Sequence, residues 1–138
     1  MGWRCKSLIM RSAFVIFTLV ISLFFCCNKN IKTTFKNISS DKLEVLINEN
    51  DVKLIDVRRP SEFNNGHIEN AINIDYYDGN FSKSFDDLDK SQIIVLYCKS
   101  GRRSSKSAVK LVEKGFNNIY NLKGGFEVWT FKGKYIQY

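Results

Sequence analysis

The chain predicts an α/β domain: about five largely parallel strands in one sheet, with helices on both faces. Apolar runs that read as strands alternate along the chain with segments of helical periodicity. Two of those runs, Leu54-Ile55-Asp56-Val57 and Ile93-Ile94-Val95-Leu96-Tyr97, are too apolar to leave one face wet. Both faces of such a sheet must be covered. Asp56 and Cys98 fall at the carboxyl ends of these runs, where parallel sheets gather their ligands.

Taken in order, Phe35-Lys36-Asn37-Ile38 is a short strand, and Ser39-Ser40-Asp41 supplies helix caps. Leu43, Leu46 and Ile47 then fall on one face of a helix over about 40–48. Residues 52–57 form a core strand, and Arg59-Pro60-Ser61-Glu62-Phe63 a turn with one turn of helix. Asn64-Asn65-Gly66-His67 breaks the pattern before another short strand, Ala71-Ile72-Asn73-Ile74. In the polar stretch 75–90, the spacing of Phe81, Phe85 and Leu88 predicts a short helix. Residues 92–97 are the most apolar strand. A helix over 104–114 turns Ala108, Leu111 and Val112 to the core, and Gly115 stops it. Ile119-Tyr120-Asn121-Leu122 is the last strand, and Gly124-Gly125 turns into a closing helix over 126–129.

Length and charge bound the function. With 138 residues the chain has room for one domain. Its net charge of +7 is not a nucleic-acid footprint: residues 1–27 hold +3, the remainder is mixed, and no basic block exceeds two residues. Residues 1–27 read as an export leader rather than as part of the fold. Arg4, Lys6 and Arg11 precede a 15-residue apolar run from Ala13 to Cys27, shorter than the ~20 residues that span a bilayer. Leu23-Phe24-Phe25-Cys26-Cys27 resembles a bacterial lipoprotein signal, though Phe24-Phe25 stands where small residues are usual. Lipidation at Cys26 or Cys27, retention as an anchor, and cleavage to a soluble form are the three fates, and each takes the domain to the cell envelope. Residues 28–34 then form a tether, and the domain runs over 35–138.

With Cys5, Cys26 and Cys27 in the leader, Cys98 is the domain's sole cysteine. It can form no internal disulfide, and with a single His67 it makes no zinc site. No cluster suggests a metal or organic cofactor. The run Cys98-Lys99-Ser100-Gly101-Arg102-Arg103-Ser104 instead reads as a thiolate trap: a buried strand ends on cysteine, then a six-residue loop with one glycine and two arginines leads into a helix at Ser104-Ser105. Loop and helix N–H groups, the helix dipole and nearby cations all favour the sulfur anion. Gly101 supplies a positive-φ or close-approach position.

Three motifs now resemble those of the single-domain rhodaneses, a family of sulfurtransferases, in the family's order. They are Leu54-Ile55-Asp56-Val57-Arg58 with Gly66-His67-Ile68-Glu69-Asn70-Ala71-Ile72-Asn73-Ile74; Val95-Leu96-Tyr97-Cys98 through Ser104; and Gly124-Gly125-Phe126-Glu127-Val128-Trp129. The resemblance covers residues 35–132. It implies that Cys98 takes a sulfane sulfur from a donor such as thiosulfate and yields it to a thiol or cyanide. It also implies a functional Arg103 at the end of the loop. Lys99 and Arg102 fit a donor-attracting charge and a solvated loop charge equally. Asp56 and Arg58 are expected to tie their strand to the loop by hydrogen bonds. His67 is expected to satisfy backbone groups in its turn, and Trp129 with Phe126 to pack in the core.

Two other functions compete. Phosphatases and arsenate reductases of the related type need Cys-x5-Arg, a wider cradle for a tetrahedral dianion; here Arg103 gives Cys-x4-Arg. A binding module could instead keep the fold as scaffold, but this chain retains the cysteine and a full loop.

Overall fold

The computed structural model describes residues 34–49 and 51–138; the leader with Cys26 and Cys27, and the tether up to residue 33, lie outside the described residues. Five strands form one sheet: β1 (Lys36–Ile38), β2 (Val52–Asp56), β3 (Ile72–Asn73), β4 (Ile93–Tyr97) and β5 (Ile119–Leu122). Their order is β1-β5-β4-β2-β3 and every pairing is parallel. The helices are α1 (Ser40–Glu49), α2 (Pro60–Asn64), α3 (Arg102–Glu113) and α4 (Gly125–Phe131). The sheet expected from the sequence is therefore present, with β4 at its centre.

Alternation along β4 builds the two covering layers. Ile94, Leu96 and Cys98 point to the side of α3, where they meet Ala108, Leu111, Phe85 and Phe116. Val95 and Tyr97 point to the opposite side and pack with Leu43 and Leu46 of α1 and Trp129 of α4. Trp129 is buried there, and its Nε1–H donates to the Tyr135 carbonyl at 2.8 Å. The side chain of Cys98 thus continues the α3-facing row of a central strand.

Two elements depart from the sequence reading. The helix expected around Phe81–Leu88 is a single 3-10 turn, Lys83–Phe85. Asp75 and Asp78 accept N–H bonds from Tyr77 and Asn80 through their side chains, which favours turns over a helical ladder. The aromatic rings still do the anchoring: Phe81 and Phe85 are buried and meet edge to face, and Phe85 meets Phe116 likewise. The second departure is the start of α3, at Arg102 rather than Ser104. Gly101, with φ of 92°, reverses the chain early enough for Arg102 and Arg103 to enter the first helical turn. The irregular loop is shorter than the sequence suggests.

Phe85, with no exposed surface, is the most deeply buried of the side chains that seat the long 75–90 segment on the core. Phe85→Ala is expected to destabilise the domain by about 3–5 kcal/mol. It should also speed amide exchange across 75–90, as read by urea unfolding and hydrogen exchange.

Candidate active site

Cys98 ends β4 with only 1% of its surface exposed. The Gly101 N–H donates to Sγ at 3.2 Å, and the Ser104 hydroxyl lies 3.6 Å from it. Burial pushes the thiol up. The backbone N–H and hydroxyl of Ser104, with the N–H groups of Ser100 and Gly101, more than offset this, so the net displacement is downward. Backbone dipoles at the start of α3 therefore win over desolvation.

The loop presents its N–H groups because its carbonyls are held elsewhere. The Phe126 N–H donates to the Cys98 carbonyl at 2.8 Å, and the Glu127 N–H to the Lys99 carbonyl at 3.0 Å. In a planar trans peptide the N–H points opposite to the C=O. Fixing these two carbonyls against the start of α4 turns the Lys99 and Ser100 N–H groups to the other side. So close an approach requires glycine at 125: a Cβ there would lie 2.3 Å from the Cys98 carbonyl oxygen and 2.7 Å from that of Lys99. Its φ of 58° is a second reason.

The charged loop residues divide. Arg103 is half-buried and makes a two-pronged ion pair with Glu62, at 2.7 and 2.8 Å. The Glu62 carboxylate, and then the sulfur of Cys98, hold the Arg103 charge firmly on. Arg102 is exposed, and Lys99 makes an exposed pair with Glu127 at 3.6 Å. Ser100 is exposed, at the tip of the loop.

Asp56 and Arg58 correct an expectation. They are buried and pair with each other, Nη2 to Oδ2 at 2.6 Å and Nε to Oδ2 at 2.8 Å. The same Nη2 also donates to the Gly66 carbonyl at 2.7 Å, not to the 98–104 loop. Their link to the loop is by packing: the guanidinium lies 4.0 Å from the centre of the Phe126 ring, and the Phe126 N–H is bonded to Cys98. His67 lies in its turn as a backbone partner, with Nδ1 3.1 Å from the Phe63 carbonyl and its ring stacked on Phe63.

Sequence reasoning missed two residues that touch this machinery. Glu62 lies 41 positions before Arg103, and nothing in the local pattern of a short helix signals that distant pairing. Asn121 carried a signal: a polar residue inside an apolar strand. It accepts from the Ser104 hydroxyl at 2.6 Å and donates to Asn37 on β1 at 2.7 Å. Ser104 has one hydroxyl proton for two acceptors, the Asn121 oxygen and the sulfur.

A buried cysteine at the carboxyl end of a central parallel strand, cupped by the next helix whose dipoles favour its anion, defines an α/β domain built around one thiol. Comparison with known proteins sharpens this. The rhodanese-like domain family matches residues 39–132, and the chain belongs to that family. Thiosulfate sulfurtransferase GlpE of Shewanella oneidensis is 33% identical over 97 residues, covering 70% of this chain and 94% of that protein. A tRNA uridine(34) hydroxylase of Pelagibacter ubique is 37% identical over 99 residues, but the match covers 32% of its length. Among solved structures, a rhodanese-like domain protein from Staphylococcus aureus superposes with a TM-score of 0.62 at 29% identity, covering 69% of this chain and 91% of that one. A rhodanese-related protein from Thermoplasma volcanium gives 0.64 at 26% identity, covering 75% and 98%.

Two outcomes follow from this geometry. The Glu62–Arg103 pair holds the Glu62 carboxyl at about 2 against an ordinary 4.5. A depressed carboxyl stabilises the fold above the unfolded value and loses that contribution as pH falls through the folded one. Glu62→Gln should therefore cost about 1–2 kcal/mol above pH 4.5, after screening of this partly exposed pair, and the difference should shrink as pH falls and vanish only below about 2 in urea titrations. Gly125→Ala should destabilise by about 1–3 kcal/mol. By displacing the two carbonyls it should also slow alkylation of Cys98 by iodoacetamide at neutral pH.

Proposed function

We propose that this protein is a sulfurtransferase that carries sulfane sulfur on Cys98. The observation that carries the reading is the ring of N–H groups around a buried Sγ whose ionisation they favour. In the first half-reaction the Cys98 thiolate attacks the outer sulfur of thiosulfate. A Cys–S bond to sulfur forms, the donor S–S bond breaks, and sulfite leaves with the electron pair. In the second, a thiolate or cyanide attacks the terminal sulfur of the persulfide, and the Cys98 thiolate leaves to complete the cycle. No general base is required, because nucleophile and leaving group are both sulfur anions.

The N–H ring serves both halves: it holds the thiolate, then the persulfide anion, in one polar seat. Arg103, tethered by Glu62, adds a fixed positive charge beside that seat. Arg102, exposed at the start of α3, supplies long-range attraction for an anionic donor. Asp56 and Arg58 support the loop through Phe126. The spacing Cys-x4-Arg suits a single sulfur atom better than a tetrahedral phosphate. Relatives named as thiosulfate sulfurtransferases support the same reading.

The test is to incubate the protein with thiosulfate and weigh it. A gain of one sulfur atom that maps to Cys98, disappears with cyanide and is absent in Cys98→Ser is expected. No gain across several sulfane donors would favour the binding-module reading instead.

The place of action is part of the proposal. Residues 1–27 export the chain to a bacterial cell envelope, Cys26 or Cys27 takes a lipid anchor, residues 28–34 form the tether and 35–138 the working domain. Among the described residues no helix is long and apolar enough to cross a membrane, so any attachment falls to the leader. Membrane-fraction protein with a lipid-bearing cysteine at 26 or 27, released by replacing both, is the expected outcome. A product recovered in the cytoplasm with Met1 still attached contradicts it.

A further inference from the structure

A line of polar side chains runs from the β1 edge of the sheet to the sulfur, on the side that faces α3. Asn121 stands on β5 level with Leu96 of β4 and with Asn37 of β1. Leu96 and Cys98 point toward α3, and Asn121 meets Ser104 of α3 on that same side. Ser104 has no exposed surface and Asn121 has 4%. Their polar atoms must therefore find partners among themselves.

The hydrogen bonds along this line have one direction. Asn121 donates through Nδ2 to Asn37 Oδ1 at 2.7 Å, which leaves its own Oδ1 to face the Ser104 hydroxyl. That hydroxyl donates to Oδ1 at 2.6 Å, while Sγ of Cys98 lies 3.6 Å away. A neutral thiol sulfur is a weak acceptor, so the amide oxygen keeps the proton. A sulfur anion reverses the preference, because a charge-assisted hydrogen bond is roughly twice as strong as a neutral one. Rotation of the hydroxyl is enough to change partners; no proton leaves the oxygen. The turn leaves Asn121 Oδ1 buried without that donor, which opposes it.

We propose that Asn121 is a positioning residue of the sulfur site, holding the Ser104 hydroxyl away from Sγ until Sγ carries charge, with Asn37 fixing its orientation. During sulfur transfer Sγ is an anion before loading, a bridging sulfur in the persulfide, and an anion again when it leaves. The hydroxyl turns to Sγ in the two anionic states and back to Asn121 between them. By opposing the turn, Asn121 leaves the thiolate less stabilised and so a stronger nucleophile. The role in turnover rests on the sulfur-transfer reading above and adds a residue to it.

The charged groups near the sulfur are separate from this line. Arg103 faces it from α3, with Glu62 of α2 behind. Lys99 and Arg102 of the loop are exposed, and Glu127 of α4 pairs with Lys99. Asp56 and Arg58 pair with each other at the end of β2. β2 and the 75–90 segment otherwise meet Cys98 with apolar side chains. Substitutions at 37, 104 and 121 replace none of these charges.

The test titrates the Cys98 thiolate of the full chain by ultraviolet absorbance, each variant being compared with itself carrying Cys98→Ser. Asn121→Leu keeps the size and removes the acceptor. It is expected to lower the midpoint by about one pH unit, as one hydrogen bond allows. Asn37→Ala frees the amide to turn Nδ2 toward Ser104, and should lower the midpoint about half as far. Ser104→Ala should raise it, and adding either asparagine substitution to Ser104→Ala should then change nothing further. A midpoint that stays put or rises in Asn121→Leu would overturn the proposal, as would a shift that persists without the Ser104 hydroxyl. If Asn121→Leu does not fold, Asn37→Ala, at an exposed position, decides by the same criteria. The pH profile of Cys98 alkylation by iodoacetamide reads the same midpoints without any sulfur transfer. Shifted midpoints in a protein that never takes sulfur from thiosulfate reject sulfur transfer alone. Persulfide formation with unmoved midpoints rejects the role of Asn121 alone.

Discussion

Two backbone hydrogen bonds organise the rest of this structure: from the Phe126 N–H to the Cys98 carbonyl and from the Glu127 N–H to the Lys99 carbonyl. They take the loop's acceptors out of the site and leave its donors facing the sulfur. A buried thiol is ordinarily driven toward its neutral form. Here the opposite holds, because the desolvation of Cys98 is answered by several fixed dipoles at once. Such dipoles are already oriented before any anion forms, so little reorganisation is needed at the moment of reaction.

That pair of bonds depends on supports placed at increasing distance. Gly125 permits the approach of α4 to the loop. Phe126, whose N–H makes one of the bonds, is backed by the Arg58 guanidinium, and Arg58 is fixed by buried Asp56 at the end of β2. β2 pairs with β4 along five residues, ending at Asp56 beside Tyr97. The neighbouring strand therefore sets both the height of Cys98 and the position of the ring behind its loop. A buried ion pair is a poor source of net stability, but breaking one is costly. Its value here is positional.

Much of this was legible in the chain. The alternation of apolar strands with helical segments gave the sheet, and a lone domain cysteine behind the most apolar strand gave the reactive atom. Local signals located Gly101 and the closing helix as well. What escaped was non-local. Glu62 meets Arg103 because α2 and α3 begin at the carboxyl ends of neighbouring strands, β2 and β4, a fact of topology that no window of sequence contains. The second partner of Arg58 escapes for the same reason: the residue types give its burial and pairing, but not which carbonyl Nη2 also meets. The Phe81–Leu88 periodicity predicts a helix, but Asp75 and Asp78 carry the turn chemistry that decides the outcome. Asn121 had a readable signal, since a polar residue in a buried strand needs a partner. Its partners come from α3 and β1, 17 and 84 residues away.

The claim beneath all of this is that oriented backbone groups outweigh burial at Cys98. Its most direct measurement is the titration of the Cys98 thiolate by ultraviolet absorbance, taken as the difference between the unaltered protein and Cys98→Ser so that leader cysteines cancel. The account predicts a midpoint below the ordinary thiol value of 9.0. A midpoint at or above that value would contradict it.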